Sequence, residues 1–310
     1  MAFDFSAVVA PFRMQPGLRR LATAAPHLTP SRPSDRAFEE KLEVLTRRAH
    51  EALLAAAGFD ANPALAALCA QAAAEHPEAF ALDAPSGRFS ARHLGWSWQS
   101  GRIDGEGRAD IGACLAALPS CWRLAGLLSL ALAEDFAVID CDGRIPWLVV
   151  CLPSNWAPED KVGRRFAEVH APVADNQTLL AAADHLARLV TGGERWERFV
   201  WTIIDDARLA RHPRHTEAPR WERAETPAAL AAMACLRNER QTFLPVPEAQ
   251  QAIFTIRVEV EPLCQAVASP ADAERLHAAL ASMSPAVLAY RNLAPVRDRL
   301  LAWLARQARP

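Results

Sequence analysis

Apolar side chains recur at Phe38, Leu42, Leu45, Ala49 and Leu53, the spacing of one buried helical face, and predict an amphipathic helix from Asp35 to about Ala57. Asn62 followed by Pro63 has the form of a cap with proline in the first turn. It opens a second, alanine-rich helix ending near His76 and Pro77. CWRLAGLLSLALAEDFAVI begins as a wholly apolar helix. Beyond Glu134 and Asp135 it becomes FAVID, a turn at Asp142 and Gly143, then IPWLVVCLP, a strand, turn and strand. DNQTLLAAADHLARLVTGG carries an Asp175/Asn176 start and a Gly192/Gly193 stop and predicts one helix.

RFVWTIID (198 to 205) and AIFTIRVEV (252 to 260) alternate and are rich in β-branched and aromatic residues, which predicts two strands. Between them ARLARHPRHTEAPRWERAE reads as a polar, arginine-rich loop. LRNERQTF (236 to 243) places Arg237, Glu239, Arg240 and Gln241 between an alanine-rich helix and LPVP, and reads locally as a solvated helix end with weak internal ion pairs. Residues 84 to 110, with Trp96 and Trp98 two apart, suggest a loop or hairpin carrying both indoles on one face. SPAD (269 to 272) is a capping box for a helix to about Ala281, and a last helix covers roughly 294 to 307. Five prolines between residues 11 and 34 predict an extended arm. This order is not βαβ repetition, so the expected class is α+β, an antiparallel sheet surrounded by helices: an arm over 1–34, then one domain over 35–310.

Composition changes this picture little. A net charge of −2 and 51% hydrophobic residues describe an ordinary globular chain with no electrostatic case for nucleic acid. No run reaches the length of a membrane span, and the N-terminus lacks the layout of a signal peptide. The seven cysteines are scattered without a CxxC pair, which points to a reducing cytoplasmic setting.

The common nucleotide-binding, metalloprotease and hydrolase signatures are absent. His212 and His215 in HPRH have metal-like spacing, but four nearby arginines oppose a cation and favour an exposed loop. His170 ends an amphipathic turn, and Pro172 biases Ala171 away from helix, so the imidazole is held at an element end. Local pattern leaves two roles open, a ligand or a histidine bonded to a backbone carbonyl. The arginines of LRNERQTF are open to two readings as well, as surface charge or as a grip on carboxylate or phosphate.

Taken together, MQPGLRRL, EDFAVI, LPSNWAPEDKVGRRFAEVHAPV, RFVWTI, LRNERQTFLPVP followed by AIFTIR, and AYRN resemble, in order, the alpha subunit of heme-dependent oxidative N-demethylase and its relatives. That resemblance implies a PAS-like fold, heme b, and O2-dependent N-demethylation of a small secondary amine such as dimethylamine. Electrons would come from a separate flavin/iron–sulfur reductase subunit. It further implies His170 as proximal iron ligand, Lys161 as a partner of the heme propionates, and Trp156 and Trp201 as walls of the macrocycle. Arg198, Arg237, Glu239 and Arg240 are then candidates for distal or propionate contacts, with Arg198 and Glu239 nearest to catalysis.

The chain departs from its relatives at Val200, where an asparagine is usual, and at Ala174, Asn176, Pro245, Ala249 and Glu259. Tyr290 is its single tyrosine. A non-catalytic heme-binding sensor or carrier of the same fold is therefore the alternative, and a heme-free structural partner a third.

Overall fold

A computed structural model describes residues 5–309, so the first four residues of the expected arm lie outside the described part. In chain order its strands are β1 (Arg19–Arg20), β2 (Leu53–Ala55), β3 (Phe80–Asp83), β4 (Arg88–Ala91), β5 (Trp96–Gln99) and β6 (Arg102–Gly105). Then come β7 (Asp135–Asp140), β8 (Trp147–Val149), β9 (Trp196–Ile204), β10 (Cys235–Val246) and β11 (Gln251–Pro262). Seven of them form one sheet in the order β1-β9-β10-β11-β7-β8-β2, and β3 to β6 form a separate meander. Every pairing is antiparallel, so the chain is α+β.

LRNERQTF departs from the helix-end expectation. It lies inside β10, hydrogen-bonded to β9 on one side and β11 on the other, with Gln241 opposite both Arg198 and Ile256. Residues paired across an antiparallel ladder share a face, and successive residues alternate. Arg237, Glu239, Gln241 and Phe243 therefore share one face with Arg198 and Val200, while Asn238, Arg240 and Thr242 share the other with Phe199 and Trp201.

The second of these faces receives helix Asn62–Glu75 over β10 and β11. The first receives helix Ala183–Thr191 over β7, β10 and β11, and their contact buries Ala137, Ile139, Val190, Phe243 and Ala252. Val200 and Glu239 lie towards the β9 edge, where β1 pairs only with Trp196 and Glu197. Arg291 caps part of that bare edge by donating to the Trp201 carbonyl at 2.5 Å.

The helix expected from Asp35 runs Arg36–Ala52 and continues directly into β2. It buries Lys41, whose ammonium donates to the carbonyls of Ser129 (3.2 Å), Leu132 (3.1 Å) and Glu134 (2.6 Å). Asp135, the first residue of β7, stands 3.2 Å from the same nitrogen, and both side chains are 1% exposed. The two tryptophans of β5 do pack against a single core, the one filled by Leu68, Phe89 and Ile111. Among the described residues, no helix is long and apolar enough to cross a membrane.

Candidate functional site

The turn between β7 and β8 supports the segment that carries His170. Gly143 takes a positive φ of 78° there, as a tight hairpin needs, and its carbonyl accepts the Phe166 N–H at 2.7 Å. Glu168 caps the short helix Phe166–His170 from within, its carboxylate accepting the Arg165 N–H at 2.7 Å. Asn176 then ties down the far end, its amide donating to the carbonyls of His170 (3.0 Å) and Ala171 (2.9 Å). The expected capping role of Asn176 is thus replaced by a loop-closing one. The helix it was to start is broken at Ala182 into Gln177–Ala181 and Ala183–Thr191.

His170 is the last residue of its helix. Nδ1 lies 2.8 Å from the Phe166 carbonyl, and the imidazole stacks on the Phe166 ring with centroids 4.0 Å apart. A carbonyl only accepts, so Nδ1 carries the proton and Nε2 keeps a free lone pair. Burial, opposed by that carbonyl and reinforced by the cations Arg198 and Lys161, lowers the imidazole pKa to about 4. The ring is therefore neutral at physiological pH, the state in which an imidazole ligates a metal.

Arg198 projects from β9 into a small cavity of about 20 Å³ between the sheet and helix Ala183–Thr191. The remaining walls are apolar: Leu18 from the arm, Ile139 and Phe243 from the sheet, Phe166, and Leu186 and Val190 from the helix. Buried Arg198 Nε has no hydrogen-bond partner, and burial lowers the guanidinium pKa. Lys161 is half-buried, donates to the Val169 carbonyl at 3.3 Å, and has its pKa lowered by burial. Arg198 and Lys161 thus both act on one imidazole, which stacks on Phe166 of the cavity wall.

Glu239 lies on the same sheet face. Its carboxylate accepts from the Ser154 hydroxyl and, at 2.7 Å, from the Gln241 amide. Arg237 is fully engaged, donating to Ser154 Oγ (2.7 Å) and to the carbonyls of Leu209 (2.9 Å) and Leu152 (3.0 Å). Each of its three guanidinium nitrogens is thus bonded, and it clamps two loops to the sheet. Trp156 packs against the apolar cluster beneath the cavity.

Trp201 and Arg240 are placed elsewhere. Both lie on the opposite face, Trp201 edge-on to Phe12 at 5.8 Å and Arg240 bonded to Glu197 at 3.0 Å and to the Pro26 carbonyl at 2.8 Å. The physical reason is the strand itself: in β9 and β10, residues one or three positions from Arg198 and Glu239 must point away from them. Phe166, Gln241 and Phe243 have no site role in the sequence expectation. The period-two spacing of Glu239, Gln241 and Phe243 was the available signal, hidden by reading the stretch as helix.

The haem-dependent oxidative N-demethylase, alpha subunit-like family model matches residues 36–301, a span that includes His170, Lys161, Arg198 and Glu239 and most of the cavity wall, and the chain belongs to that family.

Proposed function

We propose that this chain is the heme-carrying subunit of an O2-dependent N-demethylase of small secondary amines, with His170 as the iron ligand. The observation that carries the reading is His170 itself: a neutral imidazole, its tautomer fixed by the Phe166 carbonyl and its Nε2 free, beside an apolar cavity. The donor set suits heme b. Apolar walls would receive the macrocycle, and the unpartnered Arg198 Nε would find in a propionate the carboxylate it lacks, with Lys161 as second cation. At about 20 Å³ the cavity has room for about one water, so seating a macrocycle requires its walls to open. On this reading residues 35–310 act as one PAS-like domain, residues 1–34 as an arm across it, in the cytoplasm.

Bound heme supplies the oxygen and electron chemistry. The reaction takes a methylated amine, O2, two electrons and two protons to the demethylated amine, formaldehyde and water. The electrons come from a flavin/iron–sulfur reductase subunit. The chain's own residues bind and orient. Glu239, held by Ser154 and Gln241, offers its carboxylate to the alkylammonium substrate, while Leu186, Val190 and Phe243 keep water from the reacting methyl group. A heme-binding sensor or carrier is the second reading, favoured by Val200 and by Tyr290 as single tyrosine.

The test is the absorption spectrum of protein produced with heme supply, wild type against His170→Ala, with circular dichroism to verify folding. A Soret band lost or strongly shifted in the variant is expected, and an unchanged spectrum refutes the ligand. Amine-dependent O2 uptake and formaldehyde release with a reductase then separate enzyme from sensor.

A further inference from the structure

Away from the His170 cavity, the loop after β9 returns to the end of helix Arg36–Ala52. His212 and His215 there meet two carboxylates from distant parts of the chain. His215 Nε2 lies 2.8 Å from Glu51 Oε2, and His212 Nε2 lies 3.0 Å from Glu159 Oε2. One ligating atom each of Glu51, His212 and His215 falls within 4.8 Å of the others. The three line a small cavity of about 20 Å³, and His212 is only 8% exposed.

The loop is largely exposed, as expected from the sequence, with Arg211 and His212 buried, but its arginines are paired with carboxylates. Arg208 pairs with Asp206 at 2.6 Å, Arg211 lies between Asp205 (3.8 Å) and Asp206 (3.5 Å), and Arg220 contacts Glu217. Arg214 spans the two carboxylates of the cluster, 2.8 Å from Glu51 and 3.0 Å from Glu159. Its side chain is 59% exposed, so it can withdraw into solvent.

We propose that Glu51, His212 and His215 form a binding site for a divalent transition-metal ion of the zinc class, with Glu159 as fourth ligand. Arg214 occupies the cation position until the metal displaces it. Two imidazoles with carboxylates suit zinc or cobalt, whereas calcium and magnesium favour all-oxygen sites. In the metal-free form each Nε2–H donates to a carboxylate. The metal takes the Nε2 lone pairs and each ring proton moves to Nδ1. For His212 that Nδ1 now accepts the Arg214 N–H at 3.2 Å, so binding releases Arg214 at backbone and side chain together.

The test is titration of the full-length chain with Co²⁺, followed by visible absorption, with Zn²⁺ as competitor. One saturable equivalent with a tetrahedral spectrum is expected, displaced by Zn²⁺ and weakened by about tenfold or more in His215→Ala and in His212→Ala. Arg214→Ala should bind more tightly, and His170→Ala should bind as wild type does. Absence of a saturable equivalent overturns the proposal. So does binding indifferent to both histidine variants, or a thiolate charge-transfer band assigning the metal to cysteine.

Discussion

Protonating His170 adds a charge to a buried ring already acted on by the cations Arg198 and Lys161, and the penalty follows from its pKa of about 4 against an ordinary value of 6.5. Each pKa unit corresponds to about 1.4 kcal/mol, so the full difference amounts to about 3 kcal/mol. The depressed value fixes the sign. Above pH 6.5 the ring is neutral in both folded and unfolded chains and the linkage is silent. As the pH falls below 6.5 the unfolded chain takes up a proton that the folded chain refuses, and stability declines until the folded ring also titrates near pH 4. Between about pH 7 and about pH 5 the loss should be about 2 kcal/mol. Urea unfolding of heme-free protein at those two pH values, wild type against His170→Gln, measures it. His27, lowered to about 3 chiefly by burial, adds an acid-dependent loss of its own, common to both proteins, so the difference isolates His170. Equal losses in the two proteins would show that His170 is free to ionise, and the pinned neutral ligand would go with it.

Lys41 makes a second test. Replacing it with Met leaves Asp135 and three carbonyls facing an uncharged thioether, which should cost about 3–5 kcal/mol in denaturant unfolding; a loss below about 1 kcal/mol would mean water replaces the ammonium. Arg198→Met should move stability and binding in opposite directions. The heme-free protein should melt higher, because an unpartnered buried Nε and its charge are removed, while heme affinity measured by transfer to apomyoglobin falls by about tenfold or more. Parallel falls in both would make Arg198 a structural residue rather than a propionate partner.

The elements legible in the sequence are those whose signals are local. Ser269 accepts the Asp272 N–H at 3.2 Å and opens helix Pro270–Ala281, as SPAD predicts. β9 and β11 appear where alternating aromatic and β-branched residues place them, and Gly143 makes the β7–β8 turn. Residues 84 to 110 read as a loop or hairpin because nothing local distinguishes Phe80–Asp83, which closes the four-stranded meander by pairing with β4. At the site, Pro172 exposed the element end at His170. The cations that set its charge state, Arg198 and Lys161, are brought to it by pairing and turns that no local window contains. The carboxylates beside HPRH were invisible for the same reason: its arginines are adjacent in sequence, whereas Glu51 and Glu159 are supplied by the fold.

The misread strand explains why this sheet can build a polar site. A central strand satisfies its backbone through both neighbours whatever its side chains are, so β10 tolerates charge wherever each charge finds a partner. Arg237 finds Ser154 and two loop carbonyls, and Glu239 finds Ser154 and Gln241. Further along the same face the side chain becomes Phe243, which lines the cavity. One face of one strand thus runs from a cation through a carboxylate and an amide to an aromatic ring, with Arg198 opposite Gln241 at the changeover. Such a gradient orients a ligand that is apolar at one end and charged at the other, and it requires charged residues at positions where a helix-end reading sees only solvent.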